Sequence, residues 1–163
     1  MCCFLQRNFK WMMKKSLRNI PFVGKACQSA GFIFVDKSSP RKVYETIKNA
    51  EKVLQGGTSL VVFPEGARTF CGHMGYFKKG AFLMADQLQL PVVPLTIDGS
   101  FDILPRTKKL LSWHRMKLTI HAPIYPLGKK GEDNLKMIMS ESYKAIESAL
   151  PDEYKGKVDN PDQ

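Results

Sequence analysis

Apolar positions in this chain follow two rhythms that take turns along its length. Short continuous runs, Gly31–Asp36 (GFIFVD), Leu60–Phe63 within Ser59–Phe63, Val92–Ile97 and Lys117–Ile120, have the length and β-branched character of buried strands. Between and after them the apolar residues recur at helical spacing. Val43, Ile47, Ala50 and Leu54 predict a helix from Arg41 to about Leu54, entered through Ser38-Ser39-Pro40 and stopped by Gly56-Gly57. Phe82, Leu83, Ala85 and Leu88 predict a helix over Gly80–Leu90, and Asn134–Leu150 a closing amphipathic one. A short helix ending near Ala30 follows the break at Ile20-Pro21-Phe22-Val23-Gly24. Strands alternating with helices predict an α/β fold, a mostly parallel sheet flanked by helices on both faces. One domain over 1–150 is expected, with a frayed tail over 151–163 rich in Asp, Lys, Gly and Pro.

Phe9–Phe22 interleaves Phe9, Trp11, Met12, Met13, Leu17, Ile20 and Phe22 with Lys10, Lys14, Lys15 and Arg18. It suits a helix with one core face and a solvated basic face, the preferred reading. A basic aromatic segment lying on a membrane surface fits the same residues.

Composition narrows the class. With 44% hydrophobic and 25% charged residues, the 163-residue chain belongs among folded proteins with a real core. Its net charge of +10 points to anionic partners: phosphorylated substrates, acidic lipid headgroups or nucleic acid. Residues 1–50 hold ten Lys/Arg against Asp36 and Glu45, a net +8, which assigns the positive field to the N-terminal third. No nucleic-acid-binding motif accompanies it, so nucleic acid ranks last. No run reaches the roughly 18 apolar residues of a membrane span. Cys2, Cys3, Cys27 and Cys71 lack metal-ligand spacing, which predicts free thiols, a reducing compartment and no metal site.

The chemistry concentrates at Phe63-Pro64-Glu65-Gly66-Ala67-Arg68-Thr69. Pro64 has no N–H for a strand ladder and should end the run before it. Gly66 opens backbone angles closed to other residues, and Arg68 offers a planar fork of donors suited to phosphate or carboxylate. Ligands of open α/β sheets sit just beyond the carboxyl ends of strands, where these residues fall. A plain turn with one surface ion pair fits them equally well.

Three ordered segments then carry a resemblance. Gly31-Phe32-Ile33-Phe34-Val35-Asp36-Lys37 looks like the G-x-x-F-x-x-R block of the glycerolphosphate/lysophospholipid acyltransferase family. Phe63–Thr69 resembles its F-P-E-G-x-R-S block, and Val93-Pro94-Leu95 its later V-P block. Phe77-Lys78-Lys79-Gly80-Ala81-Phe82 and the lead-in Lys14–Gly24 are also similar to family segments, so the match spans roughly residues 10–125. The chain is most like the members that acylate 1-acylglycerol-3-phosphate.

The resemblance implies transfer of a fatty acyl group from acyl-CoA or acyl-carrier protein, as co-substrate, to lysophosphatidic acid, with no further cofactor. Gly31, Phe34 and Lys37 would belong to one acceptor block; Phe63, Pro64, Glu65, Gly66, Arg68 and Thr69 to another. Arg68 would clamp the phosphate, with Glu65 orienting it or the glycerol hydroxyls. Pro94 would shape the acyl-donor side. Lys37 replaces the family's usual arginine, keeping charge without bidentate geometry.

The family's catalytic block is H-x-x-x-x-D, with histidine as general base. His73, His114 and His121 are followed five residues later by Lys78, Thr119 and Pro126, so none fits, and no catalytic residue is assigned. By family spacing the block would fall before Met1. The chain is therefore expected to be N-terminally truncated, inactive alone, weakly stable and prone to self-association through exposed edges. It is expected to work peripherally at the cytoplasmic face of a membrane. The alternative class is a non-enzymatic module that binds anionic lipid there.

Overall fold

The computed structural model describes residues 8–36, 38–107 and 110–156 of the chain. It divides into two compact units, Met1–Phe63 and Pro64–Gln163.

The first unit is a parallel sheet with flanking helices. Strand β1 (Phe9–Lys14) lies between β2 (Ile33–Val35) and β3 (Ser59–Val61) in the order β2-β1-β3. Its first half pairs with β3, Trp11 opposite Val61; its second half pairs with β2, Lys14 opposite Val35. Phe9–Lys14 is thus a strand at the middle of the sheet, not the expected helix. The same residues satisfy a period of two, with Phe9, Trp11 and Met13 on one face. Lys10, on the other face, donates its ammonium to the carbonyl of Ala30, just past the end of helix α1 (Val23–Ser29). The helix dipole favours a cation there, and the alkyl stem stays in the interior.

A 3₁₀ turn, Lys15–Asn19, leads from β1 into α1. Gly24 is buried against that turn: a Cβ there would lie 2.0 Å from the Arg18 carbonyl oxygen, so no larger residue fits without backbone movement. Helix α2 (Pro40–Leu54) starts as expected, with Pro40 in its first turn and the Ser39 side chain capping the Lys42 N–H. Strand β3 ends at Val61, two residues earlier than the Leu60–Phe63 run predicts. Phe63 leaves the ladder and stacks on Trp11, ring centroids 5.6 Å apart.

The second unit pairs helices with an antiparallel ribbon. It contains α3 (Lys79–Leu88), β4 (Leu95–Asp98), a single helical turn α4 (Ser100–Ile103), β5 (Lys117–Ile120) and α5 (Glu132–Ser148). β4 and β5 are antiparallel, with Leu95 opposite Ile120 and Asp98 opposite Lys117. Val92 makes only an isolated bridge to Ile124, so the expected Val92–Ile97 strand starts at Leu95. Met74, Phe77, Phe82, Leu135 and Ile138 form the core between α3, α5 and the loop before α3. In the expected tail, Asp152–Tyr154 forms a 3₁₀ turn, and the Tyr154 hydroxyl donates to Asp102 at 2.9 Å. Residues 157–163 of that expected tail lie outside the described residues.

One buried carboxylate ties this unit together. Asp86 of α3, 1% exposed, accepts from Asn134 Nδ2 at 2.7 Å and from the Gly131 N–H at 3.0 Å. Asn134 Oδ1 in turn accepts from the Leu127 N–H at 2.8 Å. Asp86 thereby supplies an acceptor and a negative charge at the start of α5, where the dipole favours both. Asp86→Ala strands two donors and is expected to lower unfolding free energy by about 3 kcal/mol in urea titrations. A loss below about 0.5 kcal/mol, the size of an ordinary surface change, would contradict the assigned role.

Candidate functional site

The predicted residues divide between the two units. In the first unit a cavity of about 280 Å³ opens beyond the carboxyl ends of β1 and β2, lined among others by Lys15, Arg18, Phe34, Asp36 and Lys42. Its position follows from the pairing: Lys14 and Val35 are the last partners in register, so Lys15 and Asp36 are the next residues out. Asp36 accepts from Lys15 at 2.7 Å and lies 3.3 Å from Lys42. The Lys15 ammonium, then the Ser38 hydroxyl and N–H, hold the Asp36 carboxyl well below the usual carboxylate range. Arg18 reaches the same cavity from the 3₁₀ turn. Phe34 of the predicted acceptor block is therefore at the cavity wall. Gly31, at φ +70°, makes the turn into β2 beside the Lys10 side chain. Lys37 lies outside the described residues, as do Cys2 and Cys3.

Phe22 is a feature that sequence reading did not single out. It sits at φ +62° in a three-residue turn closed by the Val23 N–H to the Pro21 carbonyl at 2.7 Å, with its ring exposed. That conformation is strained for an aromatic residue, and such strain clusters at working loops.

In the second unit Pro64–Thr69 opens a loop that closes on itself. The Pro64 carbonyl accepts the Lys78 N–H, and Glu65 Oε2 accepts the Gly75 N–H, both at 2.8 Å. Gly66 adopts φ +76°, and a Cβ there would lie 3.0 Å from Lys78 Nζ, so the ammonium rests over the glycine. Thr69 Oγ1 accepts the Gly72 N–H at 3.2 Å, an internal brace. Arg68 is exposed and donates from Nη1 to the Leu104 carbonyl at 3.3 Å, leaving donors of its fork turned to solvent. Glu65 forms no ion pair with Arg68 among the described residues; its partner is backbone. Pro94 is buried just before β4, its carbonyl accepting the His121 N–H at 3.1 Å.

The histidines take different places. His121 Nε2 meets Thr96 Oγ1 at 2.8 Å, His73 packs edge-on against Tyr154, and His114 Nε2 lies 3.6 Å from Asp102. The His114–Asp102 contact joins residues twelve apart in reversed order, so a search for H-x-x-x-x-D passes over it. Asp102 bonds Tyr154 more closely, and burial followed by that bond pushes the phenol up to about 12. Cys27 is buried and Cys71 exposed, both free. No group of three or more His, Cys, Asp or Glu among the described residues could hold a metal, and none of the described helices is long and apolar enough to cross a membrane.

Burial raises the Glu65 carboxyl above its ordinary 4.5, and the Gly75 N–H pulls against that shift. The folded chain then holds the Glu65 proton more tightly than the unfolded chain. This contribution to stability is full below 4.5 and declines as pH rises through the raised value. Glu65→Gln keeps an acceptor for Gly75 and removes the titration. The difference between parent and variant melting curves is expected to grow in the variant's favour across that window. Parallel pH profiles would contradict a desolvated Glu65.

Residues 1–98 match the family model described as Acyltransferase. The chain is 34% identical over 122 residues to the chloroplastic 1-acyl-sn-glycerol-3-phosphate acyltransferase BAT2 of Brassica napus, covering 74% of this chain and 36% of that protein. It is 37% identical over 90 residues to the 1-acyl-sn-glycerol-3-phosphate acyltransferase of Saccharomyces cerevisiae, covering 53% and 30%. Its structure resembles the crystal structure of PlsC, the 1-acyl-sn-glycerophosphate acyltransferase of Thermotoga maritima. The TM-score is 0.65 and the identity 28%, covering 85% of this chain and 56% of that one. The chain thus spans well under half the length of these two curated relatives.

Proposed function

The chain belongs to the acyltransferase family, and from that premise we propose that it supplies the acceptor-binding part of acyl transfer to lysophosphatidic acid. The donor is a fatty acyl thioester, acyl-CoA or acyl-carrier protein. Phospholipid biosynthesis is the setting, and the chain works peripherally at the cytoplasmic face of a membrane. The observation that carries this reading is the closed loop Pro64–Lys78, which holds Arg68 exposed with Lys78 over Gly66. Two cations on a braced loop suit a phosphate monoester, because little ordering entropy remains to be lost on binding.

The roles follow from donor chemistry. Arg68 takes the phosphate with parallel N–H donors, a geometry lysine cannot reproduce. Glu65, fixed by Gly75, keeps a second carboxylate oxygen to accept a glycerol hydroxyl. In acyl transfer a base must take the acceptor hydroxyl's proton while donors stabilise the tetrahedral oxyanion. No histidine of this sequence has an aspartate five residues on, so binding without turnover is expected.

With the purified chain, lysophosphatidic acid is expected to bind while thiol release from oleoyl-CoA stays at background. Arg68→Ala should weaken binding about tenfold to a hundredfold, and Arg68→Lys should recover only part of that. Thiol release above background would overturn the expected inactivity. Equal affinity of parent and Arg68→Ala would remove Arg68 from the site.

A further inference from the structure

The sequence between Asp102 and Glu132 holds seven basic residues, Arg106, Lys108, Lys109, Arg115, Lys117, Lys129 and Lys130, and no acidic one. Within it, Leu110–Lys117 projects a large apolar surface. Trp113 is 100% exposed, Leu110 83% and Leu111 75%, with Met116 also exposed. A patch of this kind marks an interaction surface on a soluble unit.

The loop is anchored even though these side chains face water. The Ser112 N–H donates to the Ile103 carbonyl at 2.8 Å. The Arg115 carbonyl oxygen lies where a Cβ on Gly99 would come within 2.2 Å, so the loop backbone rests on that glycine. β5 then takes over at Lys117. An anchored backbone holding tryptophan and leucine out into water, with Arg115 between Trp113 and Lys117, has the composition of an interfacial anchor. Tryptophan and leucine enter the headgroup boundary, and the cations meet anionic headgroups. Two carboxylates stand beside the loop: Asp98, opposite Lys117 in the strand pair, and Asp102, held by Tyr154 and near His114.

We propose that Leu110–Lys117 is the surface by which this chain docks on an anionic phospholipid membrane, with Trp113 inserting at the headgroup boundary. This moves lipid contact away from the basic N-terminal segment, whose aromatic residues Phe9 and Trp11 belong to β1. It rests on the acyl-transfer reading only in expecting a lipid substrate. Vesicle binding uses neither acyl donor nor acceptor, so the two readings fail separately.

The chain has two tryptophans, Trp11 and Trp113, and their signals can be separated. With phosphatidylcholine vesicles containing phosphatidylglycerol, the full chain is expected to co-float and its fluorescence to shift to the blue. Trp113→Ala should abolish the shift and cut partitioning about tenfold or more, with an unchanged melting temperature because the ring touches nothing buried. Arg115→Gln combined with Lys117→Gln should also cut partitioning about tenfold, and high salt should reproduce that loss. Trp113→Ala floating like the parent would overturn the proposal. So would a blue shift that appears without vesicles as the chain is concentrated, which would make the loop a self-association surface. An acidic carrier protein producing the shift where vesicles do not would equally overturn it.

Discussion

The placement of Phe9–Lys14 between two parallel partners is the constraint on which the first unit depends. β1 pairs on both its edges, giving its first half to β3 and its second half to β2. That division sets the register, and the register decides what stands past the strand ends. Lys15 and Asp36 emerge together because Lys14 and Val35 are the last pair. The 3₁₀ turn adds Arg18, and α2 adds Lys42, whose N–H is capped by Ser39. A one-residue slip would turn every side chain of the strand over and replace the cavity's lysine–carboxylate wall.

The second unit positions its chemistry differently. There the loop after Phe63 is shaped by its own hydrogen bonds, the Lys78 N–H to the Pro64 carbonyl and the Gly75 N–H to the Glu65 carboxylate, before helix α3 begins. Glu65 is kept partly out of water by this arrangement, which raises the cost of its charge. A single backbone N–H offsets only part of that cost. A residue held this way gains from any ligand hydroxyl that donates to its free oxygen, which ties loop rigidity directly to acceptor recognition. Asp86 does the companion work behind the loop, fixing the start of α5 against α3 so that Phe77 and Phe82 can stack in the core.

Much of this was legible in the residues. The helical spacing of Val43 to Leu54 and the Ser39-Pro40 start located α2 closely, and Lys117–Ile120 is β5 as read. The ordered blocks at Gly31, Phe63 and Val93 carried the family resemblance, which the match of residues 1–98 to the Acyltransferase model bears out. Phe9–Lys14 was misread because Lys10 and Lys14, four residues apart, look like one solvated face of a helix. Only the folded chain shows Lys10 meeting the Ala30 carbonyl at a helix end. Glu65's partner was invisible because it is a backbone N–H ten residues on, a relation that no side-chain pattern encodes.

Charge counted along the chain misleads for a physical reason. Much of the N-terminal excess is answered locally: Lys10 by a carbonyl, Lys15 and Lys42 by Asp36, Arg41 by Glu45 at 3.2 Å. A cation already facing a carboxylate presents little field to a distant surface, and salt weakens what remains. The near-neutral total over the remaining 113 residues conceals the opposite case. Carboxylates cluster in α5 and the final turn, while the stretch from Asp102 to Glu132 has none of its own. Segregation of sign, more than net charge, decides where an anionic surface is met. In this chain the segregated stretch is also the one that leaves a tryptophan fully in water.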